Sequence, residues 1–393
     1  MPQRPQDWSQ PMKRIPWRIF AAAAIVATGF GSVLGLFIVQ LNDKNATERD
    51  FIEYWAAGQL LVHGANPYDI GALLRVERAV GLDDNQPRVT PSPPLILLLA
   101  LPLGFVGAKT GLILWLLVLF ACLLASIGLL WRLQGSPPSA YHWIGLAFAP
   151  ALACLMAGQI SIFLLLGLML FLSFHDSRPF LAGVVLLPCA MKPHLFLPCA
   201  VALLLWVASR RAYRILAGFS AALATSYVLT LCLDRHAWSE YAQLSHSMRI
   251  LHVFIPTVSE CFRYLVDRNA IWLQFLPAAA SCVWAIWYFQ TRRARWNWMD
   301  QGMLVLLVSV ACAPYAFFYD EAILLPAVLA GIYRAENSRR SLLPFCLIAV
   351  AALFEVLADV QIISPFYLWT APAWLAWYLY ATWNKSAAVQ ERG

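Results

Sequence analysis

Long apolar runs recur along almost the whole chain and are separated by short polar connections. The first begins at about residue 17, the last ends at about residue 383, and several are close to 20 residues long. A helix of about 20 apolar residues is long enough to cross the hydrocarbon core of a bilayer. The pattern predicts an all-α, polytopic integral membrane protein that forms a single membrane-embedded domain over residues 1–393.

The basic residues between these runs predict the orientation. Arg4, Lys13 and Arg14 precede the first run, and further Arg clusters lie at 210–214, 292–295 and 334–340. Because cytoplasmic loops carry an excess of Lys and Arg, both termini and these loops are expected in the cytoplasm. The expected apolar segments are 17–40, 93–107, 110–130, 142–157, 160–174, 179–191, 195–208, 213–233, 270–289, 302–318, 322–332, 342–358 and 366–383.

Thirteen segments cannot all cross, because residues 41–92 are expected outside and 210–214 inside. One short segment between 93 and 208 must therefore form a half-helix or re-entrant turn. This predicts about twelve transmembrane helices of roughly 20 residues each, within a range of about 11 to 13. No internal repeat is visible, which disfavours a transporter built from inverted repeats.

Two longer polar stretches, 41–92 and 234–269, are the expected extracytoplasmic loops. The first contains two short helical patterns, at about 49–62 and 70–80, separated by the turn signal Asn-Pro-Tyr-Asp at 66–69. Both patterns are too short and too polar to span a bilayer. They are expected to be amphipathic helices that lie along the membrane interface.

Composition excludes several other classes of protein. The chain is 61% hydrophobic and only 12% charged, whereas soluble proteins carry about 25% charged residues. The net charge of +7 comes from short basic loops, as the positive-inside rule produces, so no nucleic-acid partner is expected. The nine cysteines include no C-x-x-C pair, and no His has ligand spacing with acids or Cys; neither a disulfide framework nor a metal site is predicted.

The first loop concentrates the ionisable chemistry of the chain. Within its motif lie Asp50, Tyr54, Asn66, Tyr68 and Asp69, and polar groups in a membrane protein are expected where water or substrate is met. A carboxylate at Asp50 can remove a proton from a hydroxyl group as a general base. The alternative is helix capping, because Thr47 and Asp50 have the spacing of a capping box. The neighbouring acid at position 53 is expected to be a solvated companion.

Three further breaks in the apolar pattern carry polar side chains. Gln159 follows a glycine between two apolar runs. Its side chain either forms hydrogen bonds between helices or contacts substrate. Lys192 and His194 flank a proline, so the lysine either neutralises a phosphate or reaches toward the membrane surface. Asp320 and Glu321 lie at a helix junction, where they either cap the helix or form a polar wall of a site.

The second loop contains a scatter of charged and imidazole side chains. One or more of them is a candidate for binding a lipid phosphate or a sugar, and most are expected on solvated faces. They are His246, Arg249, His252, Glu260 and Arg263.

Six short motifs follow one another along the chain: DFIEYWAAGQLLVHGANPYD (50–69), PPLILLLALPL (93–103), GQIS (158–161), MKPHL (191–195), IPTV (255–258) and APYAFFYD (313–320). In this order they resemble the motifs of glycosyltransferase family 87, the polyprenol-phosphate-mannose-dependent, mannosyltransferase-like group of C-type membrane glycosyltransferases. Two positions depart from the pattern. Tyr315 stands where many relatives have His, and Glu321 adds an acid after the Tyr-Asp pair; both leave the sugar and acceptor open.

The resemblance implies a hexosyltransferase that inverts the sugar, uses Asp50 as its base and works on the extracytoplasmic side. A polyprenyl-phosphate sugar would be the donor, and a lipid-linked or glycan molecule the acceptor. Lys192 or Arg249 would stabilise the leaving phosphate, and Tyr54, Tyr68 and Tyr319 would line the sugar cleft. No cofactor, no metal and no obligate protein partner are expected beyond the lipids of the cell membrane. A transporter or flippase of lipid-linked sugars and a non-catalytic assembly subunit remain alternatives.

Overall fold

A computed structural model describes residues 44–247, 254–361 and 363–383, together with Gly31 and Gly35. The predicted first span at 17–40 lies outside the described residues apart from those two glycines. Arg249 also lies outside them. Every regular element in the described ranges is a helix, as the apolar periodicity predicts.

In the described ranges, fifteen α-helices of six or more residues carry the fold. They are α1 (Phe51–Val62), α2 (Ile70–Ala79), α3 (Ala108–Leu133), α4 (Ala149–Ala157), α5 (Ser161–Phe174), α6 (Pro179–Val184), α7 (Leu197–Arg210), α8 (Tyr213–Leu233), α9 (Ala237–Ser247), α10 (Val258–Val266), α11 (Leu276–Arg292), α12 (Met303–Ala311), α13 (Leu325–Asn337), α14 (Leu343–Leu357) and α15 (Thr370–Thr382).

Short α-helical turns and segments of 3-10 or π-helix extend or connect these helices. They are Lys44–Thr47, Pro94–Ile96, Leu97–Ala100, Leu101–Phe105, Ala140–Ala147, Leu187–Met191, Pro193–Phe196, Ile271–Phe275, Arg293–Arg295, Trp298–Gly302, Phe318–Leu324 and Pro365–Tyr367. Many begin at or next to a proline, which fits the first turn of a helix but interrupts its interior.

Four helical stretches in the described part of the chain are long and apolar enough to cross a membrane. They are Ala108–Leu133, Pro193–Arg210, Tyr213–Leu233 and Ile271–Arg295. A fifth span results if Ala140–Ala147 and Ala149–Ala157, which meet at an angle of 42°, are counted together. Shorter apolar helices account for much of the remainder. The protein is therefore an α-helical membrane protein, while the number of about twelve crossings stays a prediction.

Both helices of the first loop lie where the sequence predicts them, but α1 is not an amphipathic surface helix. Most of its residues are buried, including the acid Glu53. Gly58 allows the backbone at Ala100 and Gly104 to approach α1 closely. Helix α2, in contrast, buries only one side, around Leu73.

A crossing of two glycines fixes α1 against the short helical segment at 94–105. A Cβ atom added at Gly58 would lie 2.2 Å from the carbonyl oxygen of Ala100, and one added at Gly104 would lie 2.1 Å from that of Gly58. Trp55 and Gln59 donate side-chain hydrogen bonds of 2.8 and 3.1 Å to the carbonyl oxygen of Val106. Helix α1, and with it Asp50 at its start, is thereby held on a rigid support.

Candidate active site

Four breaks between helices meet at one place. Asp50 precedes α1, Gln159 lies between α4 and α5, Lys192 separates two short helical turns, and Asp320 lies in the turn before α13. At such breaks backbone groups are released from helical hydrogen bonds and polar side chains can be satisfied. Residues separated by more than 100 positions in sequence therefore form one polar cluster inside an apolar protein.

Gln159 is the hub of this cluster. Its Nε2 donates to Asp50 Oδ2 at 3.0 Å and to Glu53 Oε1 at 3.5 Å. Its Oε1 accepts from the Tyr54 hydroxyl at 2.9 Å and from Lys192 Nζ at 3.3 Å. Because donors surround the oxygen and acceptors surround the nitrogen, the orientation of the amide is fixed. The amide in turn fixes one oxygen of the Asp50 carboxylate.

A largely buried ion pair belongs to the cluster. Lys192 Nζ lies 2.6 Å from Asp320 Oδ1, which also accepts from the Ser161 hydroxyl at 2.6 Å. Asp320 Oδ2 accepts from the backbone N–H of Phe317 at 3.0 Å. Asp320 thus accepts a backbone hydrogen bond at a helix start and belongs to the polar cluster; its place in a substrate site stays a prediction. These hydrogen bonds compensate the desolvation of both charges.

Asp50 is the most accessible acid of the cluster, with 29% of its side chain exposed. It directly precedes α1, but its side chain makes no capping hydrogen bond there. Its second oxygen, Oδ1, lies 3.4 Å from an Nη atom of Arg88 instead. Gln159 and Arg88 contact the carboxylate from two sides, and the remainder of the side chain is partly exposed.

Glu53 is buried rather than solvated, contrary to the prediction from its sequence position. Burial is the main cause that raises the pKa of its carboxyl group to about 8, and the nearby Asp50 raises it further. At neutral pH Glu53 is therefore mostly protonated. The other two acids of the cluster, Asp50 and Asp320, lie opposite two basic side chains, Arg88 and Lys192.

Glu77 supports the arginine that contacts Asp50. Its Oε2 accepts from the backbone N–H of Arg88 at 3.0 Å, while its other carboxyl oxygen is buried without a hydrogen-bond partner. Burial raises the pKa of Glu77 to about 7. This acid anchors the loop that carries Arg88 and extends the cluster toward α2.

Aromatic rings line the side of the cluster next to Lys192. Its Nζ lies 4.9 Å from the centroid of the Tyr319 ring, a distance at which a cation is attracted to the ring face. The His194 ring stacks on Tyr315 at a centroid distance of 3.8 Å. Trp115 packs against Tyr54 at 5.5 Å and donates to the carbonyl oxygen of Gly158 at 2.7 Å.

The structure does not bring every predicted residue into the cluster. Asn66 accepts from the backbone N–H of Tyr68 at 2.7 Å, and Asp69 caps α2 by accepting from that of Ala72 at 2.8 Å. Both shape the turn between α1 and α2. Tyr68 packs on Tyr241 at 5.8 Å, and its hydroxyl is buried without a hydrogen-bond partner.

Arg88, Ser161 and Trp115 also belong to the site, although their sequence context gives little indication of it. Arg88 lies in the polar spacer after α2, where nothing distinguishes it from other loop cations. Ser161 belongs to the GQIS motif but looks like any serine at a helix start. Trp115 lies in the middle of an ordinary apolar span. Only Ser161, two positions after Gln159, offered a usable signal.

Replacing Gly158 with Ala is expected to disturb the site from a distance. Gly158 has a φ of +70°, and an added Cβ would lie 2.7 Å from the Cβ of Phe51. A left-handed non-glycine residue costs about 1–3 kcal/mol, and relief of the clash would separate Gln159 from Asp50. We expect a lower melting temperature and a lower activity in a reconstituted assay.

Gly128→Ala is the matched control for this substitution, because an added Cβ at Gly128 meets nothing within 4 Å. It is expected to be neutral or slightly stabilising, since alanine favours the helix. Equal behaviour of the two variants would show that the backbone at Gly158 does not position the site.

Replacing Glu53 with Gln is expected to flatten the dependence of stability on pH. The pKa of Glu53 is raised from 4.5 to about 8, so between these values only the unfolded chain releases the proton. The contribution of protonated Glu53 to the free energy of unfolding is fully present below about pH 4.5 and is lost as pH rises through about 8. Between these values the free energy of unfolding falls by up to about 1.4 kcal/mol per pH unit. Melting temperatures of purified protein from pH 5 to 8 measure this slope. The exposed Glu48→Gln is expected to keep the wild-type slope.

Fold and site together define a class: an α-helical membrane protein with a partly exposed carboxylate beside a buried Lys-Asp pair. A family model for glycosyltransferase family 87 matches residues 92–314, which is more than half of the chain. The protein belongs to glycosyltransferase family 87 and is a membrane glycosyltransferase. No curated protein and no solved structure matches the chain.

The matched range contains Gln159 and Lys192, whereas Asp50 and Asp320 lie outside it. The family match therefore says nothing about these two acids, and any function proposed for them is argued from the geometry of the cluster. Among the described residues, no three His, Cys, Asp or Glu side chains come together in a way that could hold a metal ion.

Proposed function

We propose that the protein transfers a sugar from a polyprenyl-phosphate donor to a hydroxyl group of a lipid-linked or glycan acceptor, with inversion at the anomeric carbon. The sugar is a hexose, with mannose as the first candidate from the family resemblance. The observation that carries the proposal is the exposed edge of Asp50 beside the buried Lys192–Asp320 pair. Family membership supports glycosyl transfer as the reaction.

Asp50 acts as the general base in this mechanism. Its carboxylate takes the proton of the acceptor hydroxyl as the oxygen attacks the anomeric carbon. The bond from that carbon to the phosphate oxygen breaks on the opposite face, and the lipid phosphate leaves with the electron pair. The hydrogen bond from Gln159 to Asp50 Oδ2 orients the base before substrate arrives, so no reorganisation is needed during reaction.

Lys192 and Arg88 are the cations for the leaving phosphate. Preorganised charge stabilises a transition state most where new charge develops. Lys192 is nearly buried and paired with Asp320, whereas the Arg88 side chain is 37% exposed. Arg88 can exchange its contact with Asp50 for a phosphate oxygen, and this exchange frees the base. His194, Tyr315 and Tyr319 form the neighbouring wall for the sugar, and Arg249 is a further candidate for the phosphate.

The site belongs on the extracytoplasmic side of the cell membrane in this proposal. The segment at 94–105 packs along α1 through Gly58 and Gly104, which favours it as the short segment that does not cross. The remaining apolar segments then give about twelve crossings of roughly 20 residues or fewer. All four breaks of the cluster fall on one side, opposite the arginine-rich loops, with both termini in the cytoplasm.

The donor and acceptor are the partners that this reaction needs besides membrane lipids. The cations of the site belong to the chain itself, and for this reason we propose a reaction without a metal or cofactor. No nucleic acid and no obligate protein partner take part.

The proposal is tested in proteoliposomes that contain the purified protein, labelled polyprenyl-phosphate sugars and a crude pool of lipid-linked glycan acceptors. Appearance of label in the acceptor fraction is expected, with loss of the sugar from the donor lipid in equal amount. Addition of a chelator is expected to leave the rate unchanged. Movement of labelled donor across the bilayer without any transfer would contradict the proposal and would indicate a flippase.

A further inference from the structure

A second polar cluster lies in the hairpin formed by α10 and the turn Ile271–Phe275. Arg263 and Glu260 form an ion pair inside this hairpin, and Arg263 also donates to Gln274 Oε1 at 2.8 Å. All three side chains are buried. The expectation of a solvated face is therefore wrong for Glu260 and Arg263, and their charges neutralise each other within the fold.

The inner side of the hairpin is tied to the segment that leads to the site. Gln274 Nε2 donates to the carbonyl oxygen of Pro314 at 2.7 Å, and the Ser259 hydroxyl donates to that of Cys312 at 3.1 Å. The next residues of that segment include Tyr315, which stacks on His194. The hairpin therefore has a fixed orientation relative to the rest of the protein.

The outer side of the hairpin is apolar and exposed. Leu265 is 86% exposed, Val266 59% and Trp272 64%. Phe262, at helical spacing from Leu265 and Val266, belongs to the same surface. Helix α10 is too short to cross a bilayer, so this surface belongs at the membrane interface, where an amphipathic helix buries its apolar side among acyl chains. Trp272 is the type of residue found at that depth.

A cationic cavity of about 490 Å³ opens beside this apolar surface and is lined by Arg263, Tyr264, Arg268, Asn269 and Ile271. The Arg268 guanidinium lies 5.2 Å from the centroid of the Tyr264 ring and is exposed. The nearby Asp267 carboxylate accepts from the backbone N–H of Asn269 at 2.9 Å. Since Glu260 neutralises Arg263, Arg268 supplies the positive charge that an incoming anion meets.

We propose that this hairpin binds the phosphate of an anionic phospholipid. Arg268 holds the phosphate, because the planar guanidinium matches phosphate oxygens in a forked geometry. The acyl chains lie along Leu265, Val266 and Trp272. The inference is independent of the sugar-transfer reaction and depends only on the hairpin and its surface.

Native mass spectrometry of the detergent-solubilised protein tests the proposal by titration with phosphatidylglycerol and, separately, with phosphatidylcholine. Wild type is expected to bind phosphatidylglycerol more tightly. Arg268→Gln is expected to weaken its binding about fivefold, as for one basic residue near a membrane surface. Binding of phosphatidylcholine is expected to weaken less, because the choline cation offsets the charge of its phosphate. Leu265→Gln is expected to weaken binding of both lipids, because it removes apolar contact.

Arg78→Gln is the matched control, since Arg78 is an exposed arginine on α2 that contacts the Asp84 carbonyl oxygen and Asn85. It is expected to bind phosphatidylglycerol as wild type does. Equal binding of phosphatidylglycerol by the Arg268→Gln variant and wild type would overturn the proposal. Full competition by soluble glycerol phosphate would also overturn it and would indicate a site for free phosphate.

Discussion

Replacement of Asp50 by Asn is expected to lower the rate of sugar transfer by about 10²–10⁴-fold, which is the usual contribution of a general base. Asn has nearly the same shape and keeps one oxygen that can accept the 3.0 Å hydrogen bond from Gln159. It cannot accept the proton of the acceptor hydroxyl. The melting temperature is expected to change little, because the side chain is partly exposed. Initial rates in proteoliposomes measure the effect.

Asp83→Asn is the matched control for this experiment, since Asp83 is an exposed acid in the same loop. It is expected to transfer sugar at the wild-type rate. If Asp50→Asn also keeps the wild-type rate while remaining folded, Asp50 is not the base. A transfer product with retained anomeric configuration would argue against direct attack by the acceptor and thus against this role.

Replacement of Lys192 by Met is expected to affect both stability and activity strongly. The substitution leaves Asp320 buried without its cation at 2.6 Å, and breaking one half of a buried pair costs about 3–5 kcal/mol. It also removes a charge from the site of the leaving phosphate, where one lost contact lowers rates by about 10²–10³-fold. Thermal unfolding and initial rates are measured on the same preparation.

The double variant Lys192→Met with Asp320→Asn separates the two effects. In the Asn variant the remaining side-chain oxygen accepts from the Phe317 N–H, and the amide NH2 group donates to the Ser161 hydroxyl oxygen. No buried charge is then left uncompensated. Most of the lost stability is expected to return, because the two substitutions are coupled. Activity is expected to stay low. Recovery of activity together with stability would show that Lys192 serves the fold and not the reaction.

The class of protein and the places where its helices break can both be predicted from local patterns in the chain. Apolar runs separated by basic loops indicate an α-helical membrane protein, since only structures that satisfy their own backbone hydrogen bonds can cross a bilayer. The breaks at Gly158 and Lys192 were visible as glycine, proline and polar residues within apolar runs, and the structure confirms both. Helix-breaking residues act on their own segment of the chain, so their effect can be predicted from that segment alone.

Which of these breaks meet, and which residues surround them, becomes visible in the folded protein and not in any single segment. Glu53 and Gln159 are 106 positions apart, yet their side chains touch. Nothing near Glu53 in the sequence predicts its burial, because the cover is supplied by distant helices. Arg88 looked like any loop cation until its contact with Asp50 appeared. Contacts between remote segments decide which side chains pack together, which are buried and which form ion pairs. These contacts bring the polar residues together in one site.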